Sequence, residues 1–95
     1  MRVSVERVEQ AAADSVVCGV RCLAGTVSPG DVFDRLTQHD GKDQHIGLRV
    51  IRIWRYGRTV DLIDPPHTAL IEVAGLGIES VIQAALLSGT QPRSE

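Results

Sequence analysis

At 95 residues the chain has room for one small domain, close to the lower limit at which a hydrophobic core suffices without metals or disulfides. Hydrophobic residues make up 43% and charged residues 23% of it, a globular balance that excludes a disordered chain. The net charge of -2 supplies no global attraction to nucleic acid or anionic lipid, which leaves only a local basic patch for either purpose.

The aromatic residues are Phe33, Trp54 and Tyr56, so the core has to be built from Val, Ile, Leu and Ala, a composition that leans towards strands. The first strand is expected over Arg2 to Val8, where Val3 and Val5 alternate with polar residues, with Glu9 to Asp14 as a connection or a single helical turn. From Ser15 to Leu23 the alternation is cleaner. Val16, Cys18, Val20 and Cys22 point one way, and Gly19, on the other face, marks a place where something approaches closely.

Gly25 to Asp31 ends in Pro29-Gly30, a pair that presets a type II turn, so Gly25, Pro29, Gly30 and Asp31 are expected to be structural turn residues. A strand over Val32 to Leu36 leaves that turn. The segment Thr37 to Gly47 is polar and glycine-containing and is expected to be an exposed loop. Leu48 to Tyr56 returns to strand, and Gly57-Arg58 is expected to turn the chain into a strand over Thr59 to Ile63. Asp64-Pro65-Pro66-His67 breaks the pattern, because two prolines remove two ladder donors. Thr68 to Ala74 is the next strand, with Ala69, Ile71 and Val73 on one face, and Gly75-Leu76-Gly77 ends it. Ile78 to Ile82 is expected to turn once as helix, and Ala84 to Leu87 to close the sheet.

Six or seven short strands without a long amphipathic helix predict an all-β, antiparallel, Greek-key-like barrel over residues 1–90, followed by a polar C-terminal tail over 91–95. Its interior is expected to include Val16, Val20, Ile51, Ile53, Ile71 and Val73.

The run Val16-Val17-Cys18-Gly19 followed by Gly25-Thr26-Val27-Ser28-Pro29-Gly30-Asp31-Val32 resembles the glycine-and-valine signature of the second domain of translational GTPases such as elongation factor Tu. Val50-Ile51-Arg52-Ile53, the turn at Gly57 and the closing Ala69-Leu70-Ile71-Glu72-Val73-Ala74-Gly75-Leu76 are similar to the rest of that domain. The resemblance covers roughly residues 3 to 90, and Gly25 to Val32 is its most specific part. Between Gly19 and Gly25 this chain carries one residue more than the usual spacing, which requires a bulge or a shifted register. The resemblance implies a barrel that contributes to holding the acceptor end of aminoacyl-tRNA and to contacting the ribosome, here expected to stand alone.

No phosphate loop accompanies it. The only lysine, Lys42, is followed by Asp43, whereas a phosphate loop needs Gly-Lys-Ser or Gly-Lys-Thr, so no GTP binding by this chain alone is expected. Cys18 and Cys22 lie four apart on one strand, about 13 Å, too far for a disulfide and without zinc-site spacing. They are expected to be small buried apolar residues in a reducing compartment. His39, Asp40, Asp43 and His45 crowd one polar segment but match no zinc or calcium loop spacing. No serine lies in a nucleophile elbow, and neither cysteine has a histidine nearby in sequence to activate it. The expectation is therefore no enzyme, no metal and no cofactor.

What remains is Arg52, Trp54 and Tyr56 at two-residue spacing. If Ile51 and Ile53 face the core, these three share the outer face with Val50 and form a contact surface for a partner. In the alternative reading Trp54 plugs one open end of the barrel. The start of the chain, from Met1 to Arg7, is charged within two residues and carries no apolar run of the signal-peptide kind. No segment is long and apolar enough to span a bilayer, so a cytoplasmic location without a membrane partner is expected. The partner itself is an unknown protein or RNA. The first class makes the chain an RNA- or ribosome-associated module, the second a protein-interaction subunit of a larger complex outside translation.

Overall fold

A computed structural model describes residues 1–90 of the chain, so the tail expected at 91–95 lies outside the described residues. Seven strands follow one another: β1 (Arg2–Ala11), β2 (Val16–Ala24), β3 (Val32–Thr37), β4 (Asp43–Arg55), β5 (Arg58–Val60), β6 (Thr68–Leu76) and β7 (Leu86–Ser88), with one 3-10 turn at Ile78–Ser80. Every pairing is antiparallel. The strands run in the order β3-β7-β1-β2-β6-β4, and β4 pairs back onto β3, so six of them close into a barrel with β5 left as an extra strand on β4. The expected all-β antiparallel barrel is the observed architecture, and closure removes most of the unpaired strand edge that an open sheet of this size would expose.

The interior follows from alternation. Val16, Cys18, Val20 and Cys22 from β2 meet Val3 and Val5 from β1, Ile71 and Val73 from β6, Phe33 and Leu36 from β3, Leu48, Val50 and Ile53 from β4, and Leu87 from β7. The turn before β3 ties the barrel to β4. Asp31 N donates to Ser28 O at 3.0 Å across Pro29-Gly30, with Gly30 at φ 96 as a type II turn requires. Ser28 N donates to Asp31 Oδ2 at 2.9 Å, Gly30 N donates to Val50 O at 2.8 Å, and Val50 N donates to Asp31 O at 2.8 Å. Gly25, at φ 69, opens this connection.

Several strand boundaries and one facing differ from the sequence-based expectation. β1 runs on through Ala11, because extra residues at Glu6 and Glu9 keep it paired with β2 while disturbing its alternation. β2 carries a bulge of its own at Leu23, where Arg2 and Val3 pair with Ala24 and Cys22. The exposed loop expected over 37–47 shrinks to 38–42, since Asp43 to Gly47 forms the start of β4 and buries Ile46 against the core. The strand expected over Thr59 to Ile63 is only Arg58–Val60, with Ile63 joined to Val27 by an isolated bridge, and β6 continues to Leu76.

The facing that changes is Ile51. Val50 pairs with Val73 and Arg52 with Glu72, so Ile51 is the extra residue of a bulge. Val50 is buried at 1% exposure and Ile51 is exposed at 39%, the reverse of what strict alternation back from Ile53 implies.

Cys18 and Cys22 are free thiols in the core. Burial pushes the Cys18 thiol from 9.0 up to about 12 and raises that of Cys22 as well. A thiol that ionises near 9.0 in the unfolded chain but stays protonated to about 12 in the fold stabilises the fold fully below pH 9, and loses that contribution as pH rises from there. The melting temperature is expected to be flat from neutral pH to about pH 8 and to fall above pH 9, with a smaller fall in Cys18→Ala. A thiol reagent at neutral pH should label neither cysteine before the chain unfolds.

Candidate functional site

The bulge at Ile51 sets the outer face of β4. Beyond it Arg52 and Trp54 point away from the core, while Ile53 between them is fully buried. Trp54 is half-buried and is not among the core residues, so it does not plug the barrel. Tyr56 is no longer in the strand. Tyr56 and Gly57 form the two-residue turn from β4 to β5, both with positive φ, 54 and 76, the geometry that matches the right-handed twist of a hairpin. Tyr56 is 92% exposed. The three residues singled out in the sequence therefore lie together near the end of the β4-β5 hairpin, two on the strand and one at its tip.

Each aromatic ring carries a guanidinium. Arg52 Cζ lies 5.8 Å from the centroid of Trp54, and Arg55 Cζ lies 5.1 Å from that of Tyr56, within cation-π range. Arg55 Nη2 also donates to the Tyr56 hydroxyl at 3.3 Å. Arg52 is paired with Glu72 of β6 at 3.4 Å. None of the ion pairs among the described residues includes Arg55. With Arg58 at the start of β5, the hairpin end presents Arg52, Trp54, Arg55, Tyr56 and Arg58 without an acidic residue in that stretch.

Beside the hairpin the sheet face is hollowed. Cross-strand pairing aligns Arg7 with Gly19, Gly19 with Leu70, Leu70 with Trp54, and Trp54 with Thr59, so one outward row crosses five strands. Gly19 contributes no side chain to that row, and the gap is the floor of an open groove of about 730 Å³ lined by Arg7, Val17, Arg21, Trp54, Arg55 and Leu70 among others. Gly19 is the point of close approach that the alternation of β2 predicts. The approaching group is Arg7, whose Nη1 would stand 2.9 Å from a Cβ at that position. The bulges at Glu6 and Glu9 are what return Arg7 and Gln10 to the outer face.

The remaining candidates do not join this site. Asp43 accepts from the Thr37 hydroxyl at 2.8 Å at the base of the β3-β4 hairpin, and among the described residues no three His, Cys, Asp or Glu side chains gather as a metal site would require. His67 Nδ1 lies 3.0 Å from Asp64 Oδ1 on an exposed loop. Among the described residues no helix is long and apolar enough to cross a membrane. Compared with protein-family models, curated proteins and solved structures, the chain matches none of them significantly.

Proposed function

We propose that this chain is a non-catalytic cytoplasmic binding module that contacts RNA through the outer face of β4 and the β4-β5 hairpin, in the manner implied by its resemblance to the second domain of elongation factors. The observation that carries the reading is the pairing of two solvent-facing aromatic rings, Trp54 and Tyr56, with the guanidinium groups of Arg52 and Arg55. Every base has a π-face for the rings, and every phosphate an oxygen for the guanidiniums. A non-catalytic role is supported by the two thiols, which burial holds protonated and so withdraws from nucleophilic chemistry. No guanine nucleotide is assigned to the chain, which lacks the lysine of a phosphate loop.

Trp54→Ala is expected to leave the barrel folded, with a loss of stability of about 1 kcal/mol, below the 3 to 5 kcal/mol typical of a core aromatic. The same change should weaken RNA binding by roughly 5- to 150-fold, the equivalent of about 1 to 3 kcal/mol of stacking. Circular-dichroism melting beside fluorescence anisotropy on a labelled RNA measures both. A collapsed melting temperature would assign Trp54 to the core. Binding that the substitution leaves unchanged would remove the ring from the site. The competing class, a protein-interaction subunit, uses the same rings but predicts an affinity that salt scarcely alters.

A further inference from the structure

Resting on the RNA reading above, we propose that the groove over Gly19 seats a single-stranded RNA segment, with a base against Trp54 in the gap of the outward row and backbone phosphates on Arg7 and Arg21. Lining charge favours an anion. Arg7, Arg21 and Arg55 face the groove against one lining carboxylate, Glu6, on a chain whose net charge is -2. Arg7 is held by Glu9, and Arg21 lies 3.9 Å from Glu6. Both pairs are solvent-exposed and cost little to exchange for a phosphate.

The occupant is read from what the floor offers. β2 and β6 are central strands, paired on both sides through this region, so their backbone groups are already used and an extended peptide finds no ladder to join. Recognition has to come from side chains, and those present are a ring, guanidiniums and apolar floor residues, Val17 and Leu70. These suit bases and phosphates. The backbones of β1 and β4 are three strand spacings apart, about 14 Å at most, a width that admits one strand with its bases free to turn onto Trp54. A duplex presents phosphates outward and keeps its bases stacked inside.

Arg7 sits over the gap in the free protein, so entry of a base moves its guanidinium from Gly19 towards the incoming phosphate. Gly19→Ala displaces the same group by sterics alone, since the atoms nearest a methyl there all belong to the Arg7 side chain, Nη1 at 2.9 Å, Cζ at 3.1 Å and Cγ at 3.3 Å.

The test is anisotropy titration of a labelled single-stranded RNA hexamer and of its blunt duplex, at several salt concentrations, with the full chain and with Arg7→Gln, Arg21→Gln, Gly19→Ala and, as a control on β3, Arg35→Gln. The single strand is expected to bind at least tenfold more tightly than the duplex. Arg7→Gln and Arg21→Gln should each weaken it several-fold and reduce the log-log salt slope by about 0.7, while Arg35→Gln leaves both unchanged. Gly19→Ala should reproduce the loss seen with Arg7→Gln. Duplex binding equal to single-strand binding, with the Arg7 and Arg21 variants silent, overturns the groove and leaves the hairpin reading standing. No binding of either RNA overturns the RNA reading, and the groove assignment with it.

Discussion

Val50→Asp is expected to leave the chain unfolded at room temperature, whereas Ile51→Asp folds with a loss of about 1 kcal/mol or less. The two residues are adjacent, apolar and on one strand, and only the bulge separates their fates. Val50 is 1% exposed among Leu48, Ile53 and Val73 in the core. A carboxylate there would lie in the apolar core cluster, and an unpaired buried charge costs several kcal/mol even after relaxation. Small domains have about 5 to 15 kcal/mol of stability, and a 95-residue barrel lies towards the lower end of that range. Ile51 faces solvent at 39% exposure, so aspartate there loses a partly buried apolar side chain and strands no charge. Urea melts of the two variants separate the outcomes. Equal destabilisation would mean that β4 has no bulge at this point.

Gly75→Ala is expected to cost about 3 kcal/mol or more, lowering the melting temperature by roughly 15 °C or more in a domain this size. Gly75 lies at φ 133, a conformation that L residues rarely adopt, which alone costs about 1 to 3 kcal/mol. In addition, a Cβ there would come within 2.0 Å of the Gly47 carbonyl oxygen and 3.5 Å of Leu48 Cα. These are backbone atoms of the paired strand β4, so relief requires parting β4 from β6. Gly30→Ala is the informative contrast. Gly30 also has positive φ, at 96, but nothing lies within 4 Å of the added carbon, so only the conformational cost, about 1 to 3 kcal/mol, should appear, without the clash. Similar melting temperatures for the two variants would contradict the close packing of β4 on β6.

These two sites also show where sequence stops being informative. β2 was legible because Val16, Cys18, Val20 and Cys22 alternate without interruption, and the Pro29-Gly30 turn because its dihedral demands are local. Val50-Ile51-Arg52-Ile53 offers two ways of burying an apolar pair. The choice is made by β6, through Val50 opposite Val73 and Arg52 opposite and ion-paired with Glu72, contacts twenty or more positions away. The start of β4 looked like loop because its outward residues are polar and Ile46 alone signals the core. Tyr56 was placed one residue short of the turn it belongs to, since Tyr56 itself adopts the positive φ usually left to glycine.

The hairpin half of the candidate site was legible, being contiguous from Arg52 to Arg58. The groove was not, because its row joins Arg7, Gly19, Leu70 and Trp54 from four strands. The bulge at Glu6, between Val5 and Arg7, conceals from any periodicity that Arg7 shares a face with Gly19.

Trp54 is the only tryptophan and lies in the proposed contact face, so its emission reports on that face alone. The most direct measurement is a titration of the intact chain with single-stranded RNA, followed by tryptophan fluorescence at low and at physiological salt. A saturable quench whose midpoint rises steeply with salt, along a straight log-log line, is the result that RNA contact through this face predicts. An emission spectrum that RNA leaves unchanged at every salt concentration would contradict it.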